Sequence, residues 1–172
     1  TFQVTDNYAY AILDTGGFYQ IDIRDPAAMS YQFFDYPGAW SLDIDGNFLL
    51  VGSVMGNVAI YVNANSGIPA LYDERTIGQP VLDLHKRDNL IAMAVGSGIA
   101  LVDMNLSGDE QIISSIATEN ETTRLTINND LIVASGNGVV TAFDISSIDD
   151  IQLSGSRYIQ QSATVLAQTG TT

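Results

Sequence analysis

The stretch SLDIDGNFLLVGSVMGNVAIYV, residues 41–62, contains the strand and turn pattern from which the fold is predicted. Residues 41–45 alternate apolar and polar side chains, as a half-buried strand does. Asp45-Gly46-Asn47 is typical of a tight turn, because these residue types tolerate a positive φ. Residues 48–51 are continuously apolar, which predicts a second strand that is covered on both faces.

The chain then turns again and continues in two further strands. Gly56-Asn57 predicts the turn, and residues 58–62 predict the third strand. After a polar loop, residues 69–76 begin with proline and are more polar. Proline is tolerated at strand starts and sheet edges, so this segment is expected to be the outermost strand.

This pattern recurs along the whole sequence. Turn glycines follow one another at intervals of 40 residues, at Gly16, Gly56, Gly96 and Gly136. Strand-like triplets precede them and begin at Phe2, Leu42, Leu82 and Leu125. The repeats predict units at residues 1–40, 41–80, 81–123 and 124–164, with the start of a further unit at 165–172.

Four short antiparallel strands per unit of about 40–45 residues are typical of a β-propeller blade. The sequence therefore predicts an all-β fold without helices, in which neighbouring four-stranded antiparallel blades cover each other's faces. Four blades are visible, and we expect them to be part of a larger ring. The alternative is a closed ring of four blades.

The first repeat, residues 1–40, also resembles a known family in its residue pattern. Residues 7–11, NYAYA, and residues 17–26, GFYQIDIRDP, are similar to the pattern of the LVIVD-repeat propellers. Later units depart from it, since Tyr61 replaces the aspartate and the Asp-Pro pair is lost. The resemblance implies a bacterial or archaeal exported or cell-surface protein, and it supplies no catalytic residues.

Composition excludes several classes of function. The chain has 172 residues, of which 46% are apolar, and its formal net charge is -14. Such an excess of acid opposes binding to nucleic acid or to anionic lipid. With no cysteine and one histidine, thiolate and multi-histidine metal sites are excluded.

Localisation is predicted from composition and from the chain ends. No apolar run reaches the ~20 residues of a membrane helix, so we expect no membrane insertion. The absence of cysteine, the acidity and the many small polar residues favour an extracellular, cell-surface or periplasmic protein. The abrupt start and end suggest a processed or trimmed piece.

A ligand site is predicted where the chain enters each innermost strand, at the mouth of the propeller channel. The candidate residues there are Trp40, Ser41, Gln79 and Arg124. An aromatic ring beside an arginine could hold a sugar or a carboxylate. Alternatively, Trp40 packs between blades and Arg124 pairs with an acid such as Glu121.

Asp43, Asp45 and Asn47 form a weak candidate for Ca²⁺, because their oxygen ligands are spaced as in a calcium loop. The other interpretation is a strand that ends in an Asp-Gly turn, since no further acidic ligand follows. Aspartates also recur at one position of the repeat, at Asp22, Asp103 and Asp144. We expect these three to bind turn amides beside their strands.

The remaining titratable groups do not form a recognisable catalytic motif. His85 is expected in an exposed turn, 85–88, and no nucleophile adjoins it. The loop acids Glu119 and Glu121, like Asp149-Asp150, could serve in glycoside hydrolysis only at a suitable separation.

The preferred function is a non-catalytic binding or scaffold module for a protein or glycan partner. One alternative is a fragment of a carbohydrate-active or lyase-type propeller enzyme. Another is a structural subunit of a surface assembly. The remaining blades of the same chain, or further copies in a homo-oligomer, are expected as partners of the exposed blade faces.

Overall fold

A computed structural model describes residues 1–13, 16–106 and 112–159 of the chain. Within these residues the fold is all-β, with four four-stranded antiparallel sheets and no helix. In every sheet the strands lie side by side in chain order. The predicted all-β repeat of four antiparallel strands is therefore confirmed.

The strands of the first two sheets are bounded as follows. The first sheet contains β1 (Phe2–Val4), β2 (Tyr8–Leu13), β3 (Gly17–Asp22) and β4 (Ser30–Asp35). The second contains β5 (Ala39–Asp45), β6 (Phe48–Ser53), β7 (Asn57–Val62) and β8 (Ala70–Thr76).

The third and fourth sheets repeat this order. The third contains β9 (Asp83–Arg87), β10 (Leu90–Ala94), β11 (Gly96–Asp103) and β12 (Ile112–Thr122). The fourth contains β13 (Arg124–Asn128), β14 (Leu131–Gly136), β15 (Val139–Asp144) and β16 (Gln152–Tyr158). The predicted start of a further unit at 165–172 lies outside the described residues.

The glycines of the 40-residue repeat serve the turns between the second and third strands in two ways. Gly16, Gly56 and Gly96 have φ values of 76°, 91° and 72°, and these backbone angles would be strained for a residue with a side chain. In the fourth sheet, Asn137 at 46° and Gly138 at 78° form the turn instead. This pair is the asparagine-glycine combination that two-residue hairpin turns favour.

The chain divides into two compact units, each larger than one repeat: the first unit is residues 1–81, and the second unit begins at residue 82. In the first unit, one face of the first sheet packs on one face of the second. The fully buried side chains Tyr10 and Phe18 come from the first sheet, and Leu49 and Val51 from the second. Close ring contacts join Phe18 to Tyr61 across this core, at 5.2 Å between centroids.

In the second unit, the third sheet packs on the fourth through smaller aliphatic side chains. Ile99 and Leu101 of β11 are fully buried against Leu125 and Ile132 of the fourth sheet. The first strands of these two sheets, β9 and β13, lie beside each other. Each unit thus contains its own apolar core between two sheets, as a repeat that cannot bury its faces alone requires.

Candidate functional site

The sequence-predicted residues of the first unit differ in accessibility. Trp40 sits at a bulge, because Ala39 pairs with Ser53 and Ser41 pairs with Gly52. Its side chain is exposed, so the alternative in which it packs between sheets is wrong. Ser41 is buried and its hydroxyl donates to the carbonyl of Val81 at 3.3 Å. A ligand at this bulge would therefore meet the indole ring rather than the serine.

Gln79 follows the second sheet and is exposed. Its main-chain nitrogen lies close to Gly56, where an added Cβ would approach it to 3.0 Å. The residue thus belongs to the tight turn that follows β8, near the start of β7. Its side chain remains a candidate for a ligand contact at the surface of the first unit.

Arg124 lies in the second unit and is half-buried at the start of β13. Its guanidinium donates to the carbonyl of Thr123 at 2.8 Å and to that of Leu82 at 3.4 Å. Asp83 of the neighbouring β9 accepts a hydrogen bond from the Leu125 amide at 3.0 Å. These contacts join β9 of the third sheet to β13 of the fourth.

Asp83 is a half-buried ionisable group at the start of β9. Burial raises the pKa of its carboxyl, while the Leu125 amide, His85 and Arg124 each oppose that rise. The carboxylate accepts hydrogen bonds from the main chain and lies near the side chains of His85 and Arg124, so that it helps to join β9 to β13. The sequence did not single out this aspartate.

The proposed calcium residues lie on the second sheet. Asp43 is buried within β5, Asp45 ends that strand, and Asn47 is exposed in the turn before β6. Among the described residues, no group of three or more His, Cys, Asp or Glu side chains could hold a metal ion. The turn at Asp45-Gly46-Asn47 is present as predicted, since Asp45 pairs with Phe48.

The repeated aspartates make the contacts expected of them. Asp22 accepts from the amide of Arg24 at 3.1 Å, Asp103 from that of Asn105 at 2.8 Å, and Asp144 from that of Ser146 at 2.9 Å. Each binds the amide two residues further on, which fixes the turn after the third strand. The prediction of a structural role is confirmed.

The pKa values of two of these aspartates are lowered by their hydrogen bonds. The side chain and amide of Arg24 lower the pKa of Asp22 to about 2. Hydrogen bonds from Ser146 lower the pKa of Asp144. Both carboxylates are therefore hydrogen-bond acceptors for the turns and poor general acids.

Two expectations about local structure are wrong. His85 lies within β9 and is half-buried, rather than in an exposed turn. The turn is confined to Asp88-Asn89, where Asp88 has a φ of 51°. Glu119 and Glu121 lie within the long strand β12 rather than in a loop, because β12 extends to Thr122.

A cleft of about 370 Å³ lies in the second unit, between β12 of the third sheet and β14–β16 of the fourth. Apolar side chains line its inner part, among them Ile116 and Phe143, which pack against the core of this unit. Hydroxyl groups and one carboxylate line the rest, from Thr118, Thr141, Ser156 and Glu121.

A bulge in β12 shapes this cleft. Gly98 pairs with Ala117 and Gly96 pairs with Thr122, so four residues of β12 face one of β11. The hydroxyls of Thr118 and Thr122 lie 2.9 Å apart across the base of the bulge. Bulges of this kind re-aim side chains and often adjoin functional sites.

Gly136 allows the two sheets to approach beside the cleft. A Cβ at this position would overlap the main-chain oxygen of Glu121. Only glycine fits such a close approach of two backbones. The glycine repeat indicated a turn here, and no sequence pattern revealed the contact with β12.

A smaller and more polar pocket of about 240 Å³ lies in the first unit. Tyr8, Gln20, Asp22 and Arg24 line it. The Arg24 guanidinium pairs with Asp22 and lies over the Tyr8 ring, 5.5 Å from its centroid. Since Arg24, Asp22 and Tyr8 already bind one another, this pocket offers a ligand fewer hydrogen-bonding groups than the cleft of the second unit does.

Comparisons with known proteins bear on the fold alone. A scan against protein-family models found no match, and neither did a search of curated proteins. The crystal structure of the computationally designed Ika8 protein is similar with a TM-score of 0.74 and 16% identity, over 99% of this chain and 52% of that one. The designed Ika4 protein is similar with a TM-score of 0.57 and 17% identity, over 72% and 74% of the two chains.

These figures also compare chain lengths. The present chain spans about half the length of the Ika8 protein. At such low identity the similarity concerns the arrangement of strands and carries no residue roles. In the described part of this chain, no helix is long and apolar enough to span a membrane.

Proposed function

We propose that this chain is a non-catalytic binding module for a glycan or a protein segment, and that its ligand occupies the cleft of the second unit. The observation that carries the proposal is the combination of size and lining in that cleft. Its volume of about 370 Å³ falls within the range of ligand pockets, roughly 300–1,000 Å³.

The lining of the cleft favours a ligand with both apolar and hydroxylated surfaces. Ile116 and Phe143 provide the apolar part, against which the C–H face of a sugar ring or an aliphatic side chain would pack. Thr141 and Ser156 can donate and accept hydrogen bonds, and the Glu121 carboxylate accepts them. A glycan is the ligand class that uses all of these groups.

The way the carboxylates are used supports binding rather than catalysis. Asp103 and Asp144 hold turn amides, and Asp83 holds the amide of Leu125. General acid–base catalysis needs titratable groups that converge on a substrate with pKa values near the working pH. These three aspartates bind main-chain amides instead.

We propose further that the four sheets are blades of a β-propeller that resembles the LVIVD-repeat family. The 40-residue repeat, the sequential strand order and the face-to-face packing within each unit support this interpretation. The similarity to half of a longer chain supports a larger ring.

The place of action follows from the composition. We propose an extracellular, cell-surface or periplasmic location, where a glycan ligand would be met. The acidic, cysteine-free sequence supports it. Fractionation of the native host, with this chain detected by antibody, would test the location directly.

A glycan array followed by titration calorimetry tests the ligand class, and two tryptophan variants test the place. Ser156→Trp adds bulk to the lining of the cleft. Ser154→Trp is the matched control, because Ser154 is exposed on the same strand and does not line the cleft. We expect any array hit to lose affinity with Ser156→Trp and to keep it with Ser154→Trp.

Two results would overturn the proposal. One is the absence of binding to any glycan or to displayed peptides; the other is full binding by Ser156→Trp. Trp40→Ala and Arg124→Ala form a separate arm for the site predicted from sequence. Product analysis of the hit glycans distinguishes binding from turnover, which would favour the enzyme alternative.

A further inference from the structure

The first sheet exposes a continuous apolar face, which we call the open face. It consists of residues on alternate positions of β1–β4, with two aromatic contacts along it: Tyr19 lies 4.9 Å from Phe33 and 5.8 Å from Tyr31 between ring centroids. Tyr31 is 75% exposed and Phe33 is 41% exposed. The other exposed apolar side chains of this face are Phe2, Val4 and Leu13.

The register shows that these residues share one face. Phe2 pairs with Ala11, Ala11 with Tyr19, and Tyr19 with Phe33, so the four side chains form a row across the sheet. The opposite face contains Tyr10 and packs on the second sheet. The open face is therefore the face that the core of the first unit does not use.

The internal repeat indicates that this face is built to be covered. A shift of 40 residues places Phe2 on Leu42 and Ala11 on Val51. Leu42 and Val51 are buried in the core of the first unit, at 2% and 0% exposure, because the first sheet covers them. Phe2 occupies the equivalent position and is 65% exposed.

An exposed apolar face of this kind marks an interaction surface in a soluble protein. Because its equivalent in the second sheet is covered by another sheet of the same repeat, the fitting partner is also a sheet of this repeat. This chain matches 52% of the length of the Ika8 protein, so two copies of this chain together have about the length of that protein. A second copy of the chain also supplies four further sheets of the same repeat.

We infer that a second copy of this chain covers the open face with its fourth sheet. The face of the fourth sheet that does not contact the third presents Val133, Val140 and Ala142, all half-buried. Small side chains there would receive the large rings of Tyr31 and Phe33, and large residues pack well opposite small ones. Two such head-to-tail contacts, related by a two-fold axis, would close a dimer.

The oligomeric state of the purified chain tests this inference. Light scattering coupled to size exclusion is expected to give twice the monomer mass of 18.5 kDa over a wide range of concentration. The double variant Tyr31→Lys/Phe33→Lys is expected to be a monomer with an unchanged circular dichroism spectrum. Met55→Lys/Ile68→Lys is the matched control, since both residues are exposed outside this face, and it is expected to remain a dimer.

A mixing experiment tests which face is the partner. Ala142→Lys alters the fourth sheet and is also expected to give a monomer. Mixed with the Tyr31→Lys/Phe33→Lys variant, it is expected to restore a dimer, because one of the two contacts then joins two unaltered faces. The inference is overturned by a monomeric parent chain, by a dimeric Tyr31→Lys/Phe33→Lys variant, or by mixed variants that stay monomeric. None of these readouts depends on glycan binding.

Discussion

Tyr10 carries a contact that joins the first sheet to the loop after β7, and its replacement by phenylalanine measures that contact. The side chain is fully buried. Its hydroxyl donates to the carbonyl oxygen of Ala64 at 2.7 Å and accepts from the side-chain amide of Gln20 at 2.8 Å. The same amide nitrogen donates to the carbonyl of Gly67 at 2.7 Å, so the network crosses from sheet to loop.

Tyr10→Phe retains the buried ring and removes only the hydroxyl. Each lost hydrogen bond costs about 1 kcal/mol net, and the buried Ala64 carbonyl left without this donor adds about 1–3 kcal/mol. Gln20 keeps its bond to Gly67, which limits the loss. We therefore expect the free energy of unfolding of the first unit to fall by about 2–4 kcal/mol.

Urea unfolding followed by the fluorescence of Trp40 measures this change, because the single tryptophan lies in the first unit. Tyr72→Phe is the control, since Tyr72 lies outside the open face, is 63% exposed, and its variant should stay within about 0.5 kcal/mol of the parent. A urea midpoint that Tyr10→Phe shifts no further than Tyr72→Phe does would contradict the stabilising role of the Tyr10 hydroxyl.

The pH dependence gives a second check on the same network. Burial raises the pKa of Tyr10 to about 12, from an ordinary value of 10.0. Since the folded value is the higher one, the contribution of the hydroxyl is fully present below pH 10 and is lost as the pH rises through 12. The stability difference between the parent and Tyr10→Phe should therefore shrink above pH 10. A difference that stays constant would contradict this account.

Three further variants test the second unit, each by urea unfolding followed by circular dichroism. Asp83→Asn should raise the free energy of unfolding of this unit at neutral pH, because burial raises the pKa of the carboxyl and the amide oxygen can still accept the hydrogen bond from β13. The gain should vanish in acid, where the carboxyl is protonated. No gain at neutral pH would contradict this account. Gly136→Ala should lower the free energy of unfolding by about 1–3 kcal/mol, because the added Cβ overlaps the main chain of β12. Gly155→Ala should be nearly neutral, because Gly155 has open space around it. Equal effects of the two variants would contradict the steric argument. Asp144→Ala should destabilise the turn after β15 at neutral pH, where the ionised carboxylate accepts the amide of Ser146. Because the pKa of Asp144 is lowered in the folded state, this contribution is lost as the pH falls through the folded pKa, and the variant should match the parent at low pH. A stability difference that persists in acid would count against this account.

The role of a residue could be predicted from sequence where its side chain binds the main chain a few residues away. The role of Asp22, Asp103 and Asp144 followed from their recurrence, because an aspartate binds an amide two residues away whatever the rest of the fold does. His85 was misplaced because a run of polar residues resembles a turn. Its place in β9 depends on pairing with β10, which local sequence does not fix.

The strands, their antiparallel order and their grouping in fours could all be predicted from the residue pattern. These properties depend on alternation, turn chemistry and a 40-residue period, which are all local or repetitive. Other features depend on the three-dimensional packing of the strands: the burial of Ser41, the half-buried position of Asp83, the exposure of Trp40, and the cleft beside the β12 bulge. These features arise from contacts between residues about 40 apart in different sheets, and the spacing of side chains along one strand carries no information about the distance between two sheets.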